Sequence, residues 1–236
     1  IKGVFFYDIS IVNLKEKLNL KYDLVELRID FYENIHQEDA LRNLFLNIAA
    51  LQIQKPVILT IRTAAEGGEV EIDPKDYFNV YKLAVEANAF DIYDVELALG
   101  TNMAIELRTL IHDAGKYMLM SSHNFDRTPE VDSLMQKFRS MDSLEADIMK
   151  VAVMPEDYQD LLNLLSFTVQ AKHEYAQKPI VTMSMSSIGL TSRLVGEQFG
   201  SAITFASVGK ASAPGQIDYQ ELNQMLDIIH KNIQEA

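Results

Sequence analysis

The sequence predicts an α/β protein that folds as a single (β/α)₈ TIM barrel over residues 1–236. Eight short β-branched runs alternate with longer segments of helical period along the whole chain. Eight units leave about 30 residues for each, which suits one strand, one helix and their loops. No proline- or serine-rich linker, low-complexity tract or block of like charge divides the chain. An open doubly wound sheet is the alternative, although no G-x-G-x-x-G follows the first strand and no Walker A sequence occurs.

The strands are predicted from short apolar, β-branched runs. They are Val4–Ile9, Leu24–Ile29, Val57–Ile61, Ile92–Val95, Tyr117–Met120, Ile148–Val153, Ile180–Met183 and Ala202–Phe205. The segments between them have helical spacing, as at Tyr77, Val80, Tyr81 and Ala84. One further stripe is interpreted as core packing and consists of Leu161, Leu162, Leu165 and Val169. Because parallel neighbours need a crossover connection, strand–helix alternation predicts a parallel sheet.

The composition excludes several classes of function. The 34 acidic and 21 basic side chains give a net charge of −13, which argues against nucleic acid or an anionic membrane as partner. The net negative charge does not exclude a small anionic substrate, because a pocket can still hold a few arginines. The absence of cysteine excludes disulfides, zinc–thiolate sites, iron–sulfur clusters and cysteine nucleophiles. With no apolar run of roughly 18 residues and no signal-peptide pattern, we expect a soluble, cytoplasmic protein.

The unusual polar residues fall at the carboxyl ends of the predicted strands, where barrels of this kind carry their function. Alternation in the second strand places Glu26, Arg28 and Asp30 on one face. The other polar strand ends are Arg62 with the Thr63–Gly68 loop, Asp94 and Glu96, Ser121–His123, Lys150, and the small-residue loop Ser207–Gln216.

Lys150 is the most informative of these residues because it lies inside an apolar strand. Burial of a lone amine disfavours its charged form and leaves more neutral amine near pH 7. A neutral amine can attack a carbonyl carbon reversibly. The resulting iminium acidifies the neighbouring C–H, so a base could drive elimination, aldol cleavage or isomerisation. The alternative is a structural lysine that reaches the rim and pairs with Glu26 or Asp30, and position alone favours the two equally.

His123 directly follows the fifth strand, one strand before Lys150. An imidazole there could transfer protons near neutral pH, although a loop histidine considered alone is more often a surface or helix-cap residue. None of the five histidines has zinc-ligand spacing such as H-E-x-x-H, so no metal is expected.

Three arginines, Arg28, Arg62 and Arg193, could clamp a substrate carboxylate or hydroxyls, because a guanidinium suits bidentate recognition. On spacing alone, ion pairs with nearby acidic residues such as Asp30 and Glu66 are somewhat more favoured. Gly67 and Gly68 are interpreted as supplying a positive φ in a turn.

Together these segments resemble type I 3-dehydroquinate dehydratase, the Schiff-base-forming lyase of the shikimate pathway. The matching stretches are Glu26–Asp30 (ELRID), Thr60–Glu69 (TIRTAAEGGE), Ser121–Pro129 (SSHNFDRTP), Lys150–Pro155 (KVAVMP), and Met183–Ser201 with Ser212–Gln216 (SAPGQ). They occur in family order at family-like separations. The resemblance implies a (β/α)₈ barrel, often dimeric, that uses no metal or organic cofactor, so a homodimer is expected.

The resemblance also implies a role for each matching residue. Lys150 would attack the C3 ketone of 3-dehydroquinate, His123 would be the general acid and base, and Glu66 would orient that histidine. The substrate-binding residues would be Arg193 at the carboxylate, Glu26, Arg28 and Arg62 at the ring hydroxyls and pocket wall, and Ser212 and Gln216 on a lid loop.

Two departures from the family pattern stand out. Ser186 occupies a position where the family commonly has glycine, which predicts a local difference in the turn after the seventh strand. The first strand matches poorly and carries no functional residue. The rival interpretations are an aldolase-like Schiff-base barrel acting on another keto acid, and a catalytically silent barrel that binds a carboxylate ligand or a partner protein.

Overall fold

The structure, a computed structural model, describes residues 2–6, 14, 19–208 and 215–234. The strands within these ranges are β1 (Lys2–Phe6), β2 (Leu24–Arg28), β3 (Val57–Thr60), β4 (Ile92–Glu96), β5 (Tyr117–Asn124), β6 (Ile148–Val153), β7 (Ile180–Ser184) and β8 (Thr204–Ser207). The α-helices are α1 (Glu38–Ala50), α2 (Pro74–Glu86), α3 (Thr101–Asp113), α4 (Val131–Ser143), α5 (Tyr158–Glu174), α6 (Leu190–Phe199) and α7 (Tyr219–Gln234). Short 3₁₀ turns follow three strands, at Ile29–Phe31, Ala64–Glu66 and Leu97–Leu99.

All strand pairs in the sheet are parallel, and the strand order is β7-β6-β5-β4-β3-β2-β1-β8. The segment that leads into β8 also contacts β7, at the other end of this order. Ala202 N–H donates to the Ile180 carbonyl at 2.7 Å, and Thr182 N–H donates to Ser201 Oγ at 3.0 Å. The predicted α/β fold with a parallel sheet and alternating helices is therefore confirmed.

Some strands begin or end at other residues than predicted, because a neighbouring strand supplies or lacks residues for them to pair with. β5 continues to Asn124 because β6 supplies partners as far as Val153, so His123 lies within the strand rather than after it. β8 begins at Thr204, two residues later than expected. β1 ends at Phe6, and positions 7 to 9 of the predicted first strand lie outside the described residues.

The two faces of the sheet bury different sets of side chains. On one face, strand residues such as Val25, Leu59 and Val151 pack with residues of the surrounding helices. The alternate strand residues form a second apolar cluster that contains no helix residue: Leu24, Ile58, Ile92, Leu119, Ala152, Val181, Met183, Ile203 and Phe205. Because side chains alternate along a strand, the residues that follow this second cluster point into the same space.

The interpretation of the α5 stripe as core packing is wrong for half of its residues. Leu161 is buried, but Leu162 is 56% exposed and Val169 is 50% exposed. Only one side of a helix can reach the sheet, and in α5 that side carries Leu164, Phe167 and their neighbours. No described helix is both long and apolar enough to span a bilayer.

Candidate active site

A charged layer lies next to the second apolar cluster, two residues further along the strands. Glu26 follows Leu24, Asp94 follows Ile92, and Lys150 follows Ile148. Parallel register places Lys150 opposite Ser121. The side chains of Glu26, Asp94 and Lys150 are all buried, and buried charges are costly unless they are paired with one another. The layer must therefore be a connected ionic network.

A cavity of about 470 Å³ opens over this layer. It is lined by Glu26, Arg28, Arg62, Glu66, Gly67, His123, Phe125, Lys150, Ala152, Met183, Met185, Arg193 and Gln216. Eight of the nine predicted site residues are among them, and the ninth, Ser212, lies outside the described residues. A second, larger cavity of about 670 Å³ lies between α6 and α7 and is lined by only one of the nine, Arg193. Within the described part of the chain, no three acidic or histidine side chains converge as a metal site would require.

Lys150 is not the lone amine expected from the sequence. Its Nζ donates to Asp94 Oδ2 at 3.2 Å and lies 3.8 Å from Glu26 Oε2. The Phe205 ring centroid is 5.0 Å from the same nitrogen. Two buried carboxylates therefore pair with this nitrogen. The pairing with Glu26 that the alternative interpretation predicted is present, and Lys150 also lines the cavity.

Two of the three candidate clamp arginines are already engaged within the wall. Arg28 forms a bidentate pair with Asp30, at 2.7 and 2.6 Å. Arg62 donates to Glu96 Oε1 at 2.8 Å and to Asp94 Oδ2 at 2.7 Å. The ion-pair interpretation therefore holds for both, although both still line the cavity.

Arg193 differs from the other two arginines. Its Nε and Nη2 are buried without a hydrogen-bond partner, and Nη1 has only the sulfur of Met183, at 3.8 Å. Burial lowers the pKa of Arg193 to about 10, so the guanidinium stays charged at neutral pH. An unpaired buried cation in a cavity wall is a ready site for an anionic group.

His123 and Glu66 form a close pair in the cavity wall. Nδ1 of His123 lies 2.9 Å from Glu66 Oε2, and the His123 backbone N–H donates to the same oxygen at 3.1 Å. Burial, and then the charges of Arg62 and Lys150, hold the pKa of His123 well below its usual value. Burial raises the pKa of Glu66 to about 8, against the lowering effect of Arg62. At neutral pH the pair therefore holds its proton on the carboxyl side and presents a neutral imidazole, which can accept a proton.

The loop that places Glu66 beneath His123 requires both of its glycines, for different reasons. Gly67 has a φ of +80°, and a Cβ there would lie 2.4 Å from the Phe125 ring. Gly68 has no positive φ, but its Cβ would lie 1.8 Å from the Arg62 carbonyl oxygen. The predicted turn role is confirmed for Gly67, whereas Gly68 permits close backbone approach.

A family model for type I 3-dehydroquinase matches residues 9–233. The chain belongs to this family. A 3-dehydroquinate dehydratase of Bacillus subtilis is 41% identical over 224 residues, covering 94% of this chain and 88% of that protein. One from Clostridium novyi is 38% identical over 225 residues, covering 94% and 89%.

Solved structures agree with this assignment. The type I 3-dehydroquinate dehydratase of Clostridium difficile, determined with covalently modified comenic acid, has a TM-score of 0.92 and 33% identity, covering 98% of this chain and 92% of that one. A 3-hexulose-6-phosphate synthase of Salmonella typhimurium, at a TM-score of 0.60 and 13% identity, covering 96% and 98%, shares the fold alone.

Within this 3-dehydroquinase chain, sequence reasoning assigned no role to Asp94, Glu96 and Ser121. All three are buried and bond to Arg62. The available signal was their alternation at the carboxyl ends of β4 and β5. Ser186, which departs from the family glycine, has a φ of +58°. The turn therefore keeps a left-handed conformation of the kind that glycine favours.

Proposed function

We propose that this chain dehydrates 3-dehydroquinate to 3-dehydroshikimate through a Schiff base on Lys150. The observation that carries the proposal is the convergence of a buried primary amine, a neutral imidazole and an unpaired guanidinium on one cavity. The family assignment and the dehydratase relatives support the substrate.

In the first stage, the Lys150 ammonium passes one proton to His123, and the neutral amine then adds to the C3 carbonyl. His123 returns that proton to the carbinolamine oxygen, which leaves as water, and an iminium remains. The iminium withdraws electrons from the ring and acidifies the C2–H bond, so the protein's own amine supplies the electron sink. No metal or organic cofactor is needed for this step.

His123 then removes the C2 proton and leaves an enamine. The enamine electrons expel the C1 hydroxyl, which departs as water with the proton that His123 returns. Glu66 lies 2.9 Å from Nδ1, where an oxygen that accepts from the ring N–H fixes the orientation of the imidazole and leaves Nε2 to take the proton. Hydrolysis of the conjugated iminium releases 3-dehydroshikimate and restores Lys150. Because one base serves both proton transfers, both groups leave from one face of the ring.

Arg193 is proposed to bind the substrate carboxylate, since Nε and Nη2 have unused donors in the cavity wall. Glu26 Oε2 likewise has no hydrogen-bond partner and could accept from a ring hydroxyl. Arg28 and Arg62 are proposed to shape the wall and hold its carboxylates. Gln216, which lines the cavity, and Ser212 are also proposed to bind the substrate.

We infer that the sheet closes into a complete (β/α)₈ barrel and that residues 1–236 form one domain. The bonds of Ala202 and Ser201 to β7 support closure, because β7 and β8 stand at opposite ends of the strand order. Slow hydrogen exchange at the Ala202 and Thr182 amides is the expected result, and rapid exchange at both would contradict closure.

We also propose that the chain forms a homodimer through the exposed face of α5. This face carries Tyr158, Leu162 and Val169, with the uncharged residues Gln159, Asn163, Ser166 and Gln170 beside them. Two copies of a chain with a net charge of −13 repel one another, so an uncharged apolar stripe favours their contact. Leu162→Glu should yield monomers in sedimentation equilibrium while wild type sediments as a dimer. The cytoplasmic location stays a prediction.

The test of function combines turnover with covalent trapping. Adding 3-dehydroquinate to protein treated with a chelator should produce the near-ultraviolet absorbance of a conjugated enone. Borohydride added during turnover should leave a reduced adduct on the Lys150 peptide. Lys150→Arg is the matched control, because it keeps the positive charge but has no amine that can form the imine. Absence of absorbance growth with folded protein, or an adduct on another lysine, would refute the proposal.

A further inference from the structure

Asp94 is a buried carboxylate that the proposed catalytic steps leave without a role. Its Oδ2 accepts from Lys150 Nζ at 3.2 Å and from Arg62 Nη2 at 2.7 Å. Its Oδ1 accepts from the Ser121 hydroxyl at 2.5 Å. From the helix side, the Tyr81 hydroxyl donates to the Asp94 backbone carbonyl. Both the carboxylate and its backbone are therefore held in one orientation.

The surroundings of the Lys150 nitrogen single out Asp94 as its closest charged partner. The charged and titratable groups around it are Glu26 and Arg28 from β2, Arg62 and Glu66 from the segment after β3, Asp94 from β4, His123 from β5 and Arg193 from α6. Glu26 is 3.8 Å away and makes no hydrogen bond to the amine through Oε2. Its other oxygen accepts from Thr60. β7 and β8 contribute Met183 and Phe205, which carry no charge.

We propose that Asp94 is the counterion of the Lys150 nitrogen, both as the resting ammonium and as the iminium formed with substrate. The iminium part rests on the proposed Schiff-base function, whereas the ammonium part does not. Burial raises the pKa of Asp94, but Arg62 and Lys150 outweigh it and hold that pKa below its usual value. The carboxylate thus stays ionised beside the nitrogen.

The charge balance of imine formation explains why one fixed carboxylate can serve throughout. Two of the three ammonium protons leave with the carbonyl oxygen as water, and the third stays on the iminium nitrogen. One positive charge is present before and after, on the same atom. Asp94 therefore needs neither to gain nor to lose a proton, and the remaining N–H can donate to Oδ2.

A substrate-free experiment tests the resting pair. Competitive labelling with trace acetic anhydride at pH 7 reports how much of each lysine is neutral, and the exposed Lys75 serves as internal reference. In Asp94→Asn, loss of the carboxylate should raise Lys150 acetylation about tenfold or more relative to Lys75. Glu96→Gln is the matched control, because Glu96 also bonds to Arg62 but makes no bond to Lys150. Its labelling ratio should stay within about twofold of wild type, as expected for a group that does not contact the amine.

Turnover and borohydride trapping test the iminium part. Asp94→Asn should lower kcat about 100-fold and reduce the trapped fraction, with the largest losses at alkaline pH, because an unpaired buried iminium loses its proton more readily. Thermal unfolding of Asp94→Asn and Glu96→Gln should be cooperative. A variant that is already unfolded would expose Lys150 to the reagent, and this measurement would detect it. If Asp94→Asn does not fold, Ser121→Ala is the substitute, because it removes the hydrogen bond that orients Asp94 Oδ1. It should raise Lys150 acetylation and lower kcat in the same directions, by smaller factors.

The ammonium part and the iminium part of the proposal are contradicted by different results. Unchanged acetylation in folded Asp94→Asn, or equal changes in Asp94→Asn and Glu96→Gln, would overturn the counterion role and leave Asp94 as a support for Arg62. Failure of the wild-type protein to form any adduct would refute the Schiff-base function and the iminium part with it. The acetylation comparison would still decide the ammonium part.

Discussion

Glu66→Gln should change the pH dependence of folding stability, because the amide reproduces the shape of a protonated carboxyl but cannot ionise. Burial raises the pKa of Glu66 from 4.5 to about 8 in the folded chain. The folded state therefore holds a proton that the unfolded state releases near pH 4.5. The stability from that proton is fully present below pH 4.5 and is lost as the pH rises through about 8.

The size of the effect follows from the two pKa values. The difference between 4.5 and about 8, at 1.36 kcal/mol per pKa unit, sets an upper limit of roughly 5 kcal/mol. His123, 2.9 Å away, shares the titration. We therefore expect about 2–5 kcal/mol. The variant should match wild type near pH 4.5 and exceed its stability by this amount above pH 8.

The assay is urea unfolding of both proteins at intervals from pH 4.5 to 9, with the difference in unfolding free energy plotted against pH. Glu71→Gln, on an exposed residue that follows the same loop, controls for the loss of one acidic residue. A flat difference would refute the raised pKa. A slope of opposite sign would mean that Arg62 and His123 hold Glu66 ionised in the folded chain.

Four further substitutions have expected outcomes. Lys150→Ala should abolish turnover and lower the unfolding free energy by about 3–5 kcal/mol, because it removes a cation from the buried ionic network and leaves Glu26 without an ion pair; an undiminished stability would contradict the ion pairs. Arg193→Met should lower kcat/KM about 100-fold and raise the unfolding free energy by about 1–3 kcal/mol, because it removes buried donors that have no partner. Steady-state kinetics and unfolding measurements test this, and a fall in both kcat/KM and the unfolding free energy would contradict it. Gly67→Ala should cost about 1–3 kcal/mol and displace Phe125, which an unchanged melting temperature would exclude. Ser186→Gly should raise the melting temperature by about 2–4 °C, because it relieves a left-handed φ and removes a buried unpartnered hydroxyl; a decrease would show that the hydroxyl is needed.

Local periodicity made much of this fold readable from the sequence. Short apolar, β-branched runs such as Ile148–Val153 indicated the strands, and their separation by helical segments indicated parallel pairing. The bounds were less accurate where they depend on a neighbour. β5 extends to Asn124 only because β6 pairs with its last residues, and no feature of β5 alone reports the length of β6.

The sequence by itself determined which side chains are proposed for the chemistry, because Lys150 and His123 stand out by their positions at the predicted strands and Arg193 by the family pattern. What it could not supply was the partner of each charge. Asp94 is 56 residues from Lys150, and Glu66 is 57 residues from His123. Hydrophobic pattern is a property of neighbours along the chain, whereas a buried charge is stabilised by groups that the folded sheet brings within about 4 Å. Only the tertiary structure could therefore decide that Lys150 rests against a carboxylate, that Arg62 is bonded to two carboxylates, and that two buried nitrogens of Arg193 have no hydrogen-bond partner.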